Sequence, residues 1–222
     1  MTADRLVIFD VDGTLVDSQA HILAAMAEAF GALSLPVPPR ATVLGIVGLS
    51  LPVAVGRLAP ELAPRHQARI VAAYKEAFTA QRVSSLSPLY PGATNALDAL
   101  AAMPGVVLGI ATGKSRRGLE HLMDAHGWRP RFVTVQVADD HPSKPHPSML
   151  AACCEETGVA PERAVMVGDT EFDMQMARAA GVHALGVTWG YHPPERLGQV
   201  QLIHRFERLP AVLVRHWEGP RE

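Results

Sequence analysis

Two carboxylates, Asp10 and Asp12, stand two residues apart directly after the apolar run Leu6-Val7-Ile8-Phe9, and Gly13 and Thr14 follow them. Ionised carboxylates placed beside a core need a partner, and the natural ones are a metal ion, a lysine or a phosphoryl group held by both. A period of two would keep both acids on one face of a strand, but Gly13 permits positive φ and a tight turn. The chain is therefore expected to leave the sheet here. Both acids would then crown the C-terminal edge of the strand, where open α/β sheets hold their ligands.

Three further places put a polar residue just past an apolar segment or at a helix start. They are Thr112-Gly113-Lys114 after Ile110-Ala111, Lys144 in Ser143-Lys144-Pro145, and Asp169 with Asp173 in Gly168-Asp169-Thr170-Glu171-Phe172-Asp173. Each alone has a plain structural use. A strand-end Asp forms turns or N-caps, Thr112 can cap the helix of Ser115 to His126, Lys144 can be a solvated lysine, and Asp173 can be first-turn helix charge. Lys114 and Arg116 are exposed candidates that face either substrate or solvent. His141 and His146 bracket Lys144, yet with prolines alongside their spacing suits no familiar metal-ligand set. Gly45 and Gly48-Leu49-Ser50 lack the lysine and spacing of a nucleotide-binding loop.

The elements that must position these residues follow from periodicity. Asp17 to Ala32 reads as a helix with Ser18 as its N-cap, and Leu35-Pro36-Val37-Pro38-Pro39 cannot continue it. From Ala41 to Gln81 the pattern is helical in pieces broken at Gly48, Pro52 and Pro60, the best stretch being Pro64 to Ala80. No strand is expected between Leu15 and Leu89, which leaves a helical insert of roughly seventy residues. Beyond it, strands and helices alternate, the mark of a parallel sheet with crossover helices. The strands are Val106 to Ala111, Phe132 to Val135, Ala164 to Val167 and Val182 to Val187. The helices are Ala93 to Met103, Ser115 to His126, His146 to Thr157 and Phe172 to Ala180. Gln201 to Ile203 is an edge-strand candidate, and Arg208 to His216 a last helix.

The bulk numbers narrow the classes. At 222 residues and 48% hydrophobic, the chain can bury one large core with a satellite. A net charge of -2, with no run of Lys and Arg, offers no footprint for nucleic acid. No apolar run reaches the ~18 residues of a membrane span. Cys153 and Cys154 are adjacent in a helical stretch, where disulfide geometry is poor, so two semi-buried thiols in a reducing compartment are expected. Met1-Thr2-Ala3-Asp4-Arg5 is unlike a signal peptide, and a cytoplasmic location is the expectation.

Taken together and in order, the four places resemble the motifs of the haloacid dehalogenase superfamily, and most of all its phosphoglycolate phosphatase-like branch. The resemblance implies a Rossmann-like three-layer α/β core with a parallel sheet, from residues 1–16 and 89–222. It also implies a small all-α cap of the C1 type at 17–88. Only about thirty residues separate Thr112 from Lys144, too few for a second kind of cap. On the family's pattern Asp10 is the nucleophile and Asp12 the general acid and base, and Thr112 and Lys144 complete the catalytic set. Asp10, the Asp12 backbone carbonyl and Asp169 would hold Mg2+, with Asp173 behind them. Gly113 and Lys114 would meet the phosphoryl group, and Gly48, Leu49 and Ser50 would form the cap loop facing substrate. The implied activity is Mg2+-dependent hydrolysis of a small phosphorylated metabolite such as phosphoglycolate, by a monomer or homodimer. A phosphosugar mutase, a pyrophosphatase and a retired phosphate-binding regulator remain alternatives. Residues 17–88 carry six basic and four acidic residues, a mild balance toward an anionic substrate.

Overall fold

The computed structural model describes residues 4–218, apart from the side chains of residues 82–84. Met1-Thr2-Ala3, part of the stretch read above as unlike a leader, lie outside it. Strand β1 (Arg5–Phe9) is buried along almost its whole length, as a central parallel strand covered on both faces must be. It is joined in the sheet by β2 (Val106–Thr112), β3 (Phe132–Val137), β4 (Ala164–Gly168), β5 (His183–Val187) and β6 (Gln201–Ile203). All pairings are parallel and the order is β3-β2-β1-β4-β5-β6. The chain steps outward from β1 to β3, then returns to the other edge of β1 and steps outward again. The strand order thus reverses between β1 and β4, and the crevice beyond their C-terminal ends is where such a sheet binds ligands.

Period-two alternation sorts the strand side chains into two core layers. Val7 and Phe9 pack with Val165 and Val167 on one face, Leu6 and Ile8 with Ala164 and Met166 on the other. The chain between β1 and α5 (Ala93–Ala101) forms helices α1 (Gln19–Ala32), α2 (Arg40–Leu44), α3 (Leu51–Leu58) and α4 (Pro64–Ser84). They share a separate apolar cluster that includes Ile22, Met26, Phe30, Val43, Val55 and Ile70. Helices α5 (Ala93–Ala101), α6 (Arg116–Ala125) and α9 (Leu209–Glu218) cover the Phe9 face, and α7 (Ser148–Thr157) and α8 (Glu171–Ala180) the Ile8 face. The result is the expected three-layer α/β core. Where the chain enters and leaves α1–α4, Asp17 N donates to Pro88 O at 2.9 Å and Tyr90 N to Leu15 O at 3.0 Å.

Local corrections have physical causes. Ser18 precedes α1 but makes no side-chain cap hydrogen bond, because its hydroxyl is turned to Asp12. Pro52 does not break a helix: it sits in the first turn of α3, where its missing N–H costs nothing. Helix α7 starts at Ser148 rather than His146, behind Pro147. Cys153 and Cys154 are fully buried rather than semi-buried, and burial pushes the Cys153 thiol up to about 12. Among the described residues no helix is long and apolar enough to cross a membrane.

Candidate active site

The turn after β1 is built around Val11, whose carbonyl accepts from the N–H groups of Thr14, Leu15 and Val16. Gly13 makes it possible with φ of 87°, and a Cβ there would overlap the Asp169 carboxylate. Asp169 follows β4, Thr112 closes β2, and Lys144 comes from the loop before α7, so all converge on the crevice at the strand reversal.

Within it Asp10, Asp169 and Asp173 are fully buried, with one oxygen of each within 4.8 Å of the others. Lys144, 1% exposed, places Nζ 2.6 Å from Asp173 Oδ1 and 3.1 Å from Asp10 Oδ1. Asp10 Oδ1 also accepts from Val11 N at 2.7 Å, while its Oδ2 is buried with no hydrogen-bond partner. Asp169 accepts from Thr14 Oγ1 at 2.9 Å and from Tyr191 N at 2.8 Å. Asp173 divides its two oxygens between two sets of partners. It completes a capping box with Thr170 at the start of α8, Oδ2 accepting from Thr170 N and Oγ1, and it grips Lys144 with Oδ1.

Asp12 stands apart from this cluster. Both its oxygens accept from Lys114 Nζ, at 2.8 and 2.7 Å, and Oδ1 also accepts from Ser18 Oγ at 2.6 Å. Lys114 is therefore not the exposed residue expected: its side chain is 8% exposed, with Nζ 4.9 Å from the centre of the Phe78 ring. Arg116 is exposed and pairs with Asp140. Thr112 does not cap α6. Ser115 does, by accepting from Gly118 N, and Thr112 Oγ1 accepts from Lys114 N instead. His141 spends both ring nitrogens on Ser148 and Gln136.

The loop from Gly48 to Ser50 reaches the site from the helical side. Ser50 N donates to Ser143 Oγ at 2.9 Å, next to Lys144. The Gly48 carbonyl lies so close to Gly113 that a Cβ there would overlap it. Between α1–α4 and the sheet edge lies a cavity of about 960 Å3, lined by Asp10, Asp12, Thr112, Gly113, Lys114 and the 48–50 loop among others. Of the charged residues of 17–88 with described side chains, only Lys75 and Glu76 line it. The positive balance of that segment is therefore spent elsewhere. Sequence reasoning missed Thr14, Ser18, Tyr191, Tyr74 and Phe78. Trp189-Gly190-Tyr191, two aromatics flanking a glycine straight after β5, was the available signal for Tyr191.

Three buried carboxylates against one buried ammonium leave an excess of negative charge, which a buried site bears poorly. Burial raises the Asp10 carboxyl to about 7, the Asp173 and Asp12 charges adding to it and Lys144 and the Val11 N–H opposing. Asp169 is raised well above the carboxylate range by burial first, then by Asp173 and Asp10. Lys144 also pays for burial, but Asp10 and Asp173 outweigh that and hold it above its ordinary value. A hard divalent cation meets these conditions: Asp10, Asp169 and Asp173 bring carboxylate oxygens together, and the donors they offer are all oxygens.

A pH prediction follows for the metal-free protein. Acids raised on folding bind more protons folded than unfolded, so stability is greatest at low pH and falls as pH rises from about 4 to about 7, by on the order of a few kcal/mol. Melting temperatures in EDTA should fall across that window, and Mg2+ should raise them more at pH 8 than at pH 5. A profile in EDTA that is flat over the window would contradict the charge arrangement described.

The fold and the crevice define a three-layer α/β core of the haloacid dehalogenase type. The model of the haloacid dehalogenase-like hydrolases matches residues 7–187, and the chain belongs to that family. It is 37% identical to "Probable phosphatase IndB" of Dickeya dadantii, over 86% of this chain and 84% of that one. It is 31% identical to "Phosphoglycolate phosphatase" of Escherichia coli K12, over 97% and 95%. Among solved structures, CbbY from Rhodobacter sphaeroides in complex with phosphate superposes with a TM-score of 0.79 at 26% identity, covering 93% of this chain and 96% of that one.

Proposed function

We propose that this chain is a Mg2+-dependent phosphatase that hydrolyses a small phosphorylated metabolite through an aspartyl phosphate, with residues 17–88 as a cap over a core of 1–16 and 89–222. The observation that carries it is Asp10 Oδ2, a buried carboxylate oxygen without a partner, held at the strand reversal beside Lys144. The relatives named as phosphatases support the class of reaction, with phosphoglycolate as the reference substrate.

In this reading Asp10 Oδ2 attacks phosphorus, the bond from phosphorus to the ester oxygen breaks, and Asp12 gives that oxygen its proton. Water then attacks the phosphorus, Asp12 takes a proton from it, and Asp10 and free phosphate are released. Asp10, the Asp12 carbonyl and Asp169 would hold the cation, whose charge would offset that of the phosphoryl group. Lys144 fixes Asp10 and adds positive charge; the Thr112 hydroxyl and the Gly113 N–H take phosphoryl oxygens. Lys114, clamped on both oxygens of Asp12, positions that carboxyl group for both proton transfers.

A panel of phosphorylated metabolites, pyrophosphate among them, tests the reading. Mg2+-dependent phosphate release from a monoester with no isomerised hexose phosphate supports it; isomerisation points to a mutase, and no release from any member overturns it. Gly113→Ala checks the role of the 48–50 loop. Its Cβ would also stand 2.8 Å from Leu49 O, so the loop must back away, and kcat/KM is expected to fall about a hundredfold with little change in Tm.

A further inference from the structure

The cavity is far larger than a short acid phosphate needs: 960 Å3 is the liquid volume of roughly thirty waters. Its helical wall is apolar, formed by Ile22, Met26, Val47, Leu49, Tyr74 and Phe78. The Tyr74 and Phe78 rings are stacked, with centroids 5.7 Å apart and planes at 21°, and so present an aromatic shelf. The Tyr74 hydroxyl makes no hydrogen bond among the described residues. Charge on that wall is sparse: Lys75 and Glu76 are adjacent and exposed, and across the cavity Arg117 is exposed as well. Lys114, which lies over the shelf, is already paired with Asp12. A carboxylate on the leaving group, as in phosphoglycolate, would meet apolar side chains here without a buried cation of its own, a costly placement. A neutral ring would bury its faces at no such cost.

Resting on the phosphatase reading above, we propose that the substrate is a phosphate monoester whose leaving group carries a neutral planar ring, seated on the Tyr74–Phe78 shelf. The shared chemistry of an arylalkyl alcohol and a nucleoside satisfies it equally. Short substrates such as phosphoglycolate fit the phosphate site but leave the rest of the cavity to water.

The test compares kcat/KM with Mg2+ for 2-phenylethyl phosphate, uridine 5′-monophosphate, ethyl phosphate and phosphoglycolate. All are esters of primary alcohols, which keeps leaving ability similar. Acetyl phosphate, whose leaving group needs no protonation, is measured alongside. At least one ring-bearing ester is expected to exceed both ethyl phosphate and phosphoglycolate by about tenfold or more, and which one leads tells an unsubstituted ring from a nucleoside. Phe78→Leu keeps apolar volume and removes the ring, so it should shrink that ratio about fivefold or more, with melting temperature recording that the variant is folded. Phosphoglycolate turned over as well as both ring-bearing esters, or a Phe78→Leu loss equal for every substrate, overturns the inference while leaving the phosphatase reading standing. No phosphate from acetyl phosphate or any ester overturns both.

Discussion

Asp10→Asn is expected to abolish phosphatase activity, by about 10^4-fold or more in kcat, while raising the stability of the metal-free protein above neutral pH. The two effects share one cause. The side chain replaced carries the unpartnered Oδ2, the atom placed to attack, and nucleophile removals in other hydrolases cost rates of this order. The same side chain is an acid that burial pushes up to about 7, so a neutral amide takes the place of a charge the fold resists. Asn keeps the shape, and its oxygen can still accept from Val11 N. Stopped phosphate release, a melting temperature in EDTA at pH 8 at or above that of the parent, and no trapped phosphoenzyme are the expected measurements. Retained turnover would remove Asp10 as the nucleophile.

Lys144→Met is expected to act in the opposite direction on stability and the same direction on activity. Lys144 is the cation that faces both Asp10 and Asp173 from within the core, and Met keeps most of its length without its charge. Three buried carboxylates would then face one another unopposed. Removing one partner of a buried ion pair typically costs 3–5 kcal/mol, about 3 to 5 in this case before added protons offset it. Denaturant midpoints should therefore drop sharply at pH 8 and recover in part at pH 5, where the acids protonate. Activity should be lost at both. A variant as stable as the parent at pH 8 would show that the cluster is neutral without Lys144.

The architecture, and the convergence of Asp10, Thr112, Lys144 and Asp169 on one crevice, were legible because they are written in short, local patterns. Apolar runs of strand length end in Asp10, Thr112 and Asp169, and the helical spacing of 17–88 interrupts them once. What the sequence hid depends on distances across the fold. Ser18 had the right type and place for an N-cap, but the nearby Asp12 carboxylate claimed its hydroxyl. Lys114 looked like a surface lysine because nothing local says that Asp12, 102 residues away, would bind it. The basic residues of 17–88 were countable, but their directions were not, and only Lys75 among those described turned toward the cavity. Tyr74 and Phe78 carried a helical spacing that reads as core, and only the packing of α4 over the sheet edge turns them to the cavity.

The paired backbone at the base of α1–α4 has a consequence for how such a chain can vary. Because Asp17 meets Pro88 and Leu15 meets Tyr90, departure and return occur at a single closed doorway. Whatever lies between can lengthen, shorten or be exchanged at a modest cost in closure entropy, without moving a strand of the sheet. On the proposed reading, the parts that break bonds are thus held to fixed length, and the parts that choose what is broken are not.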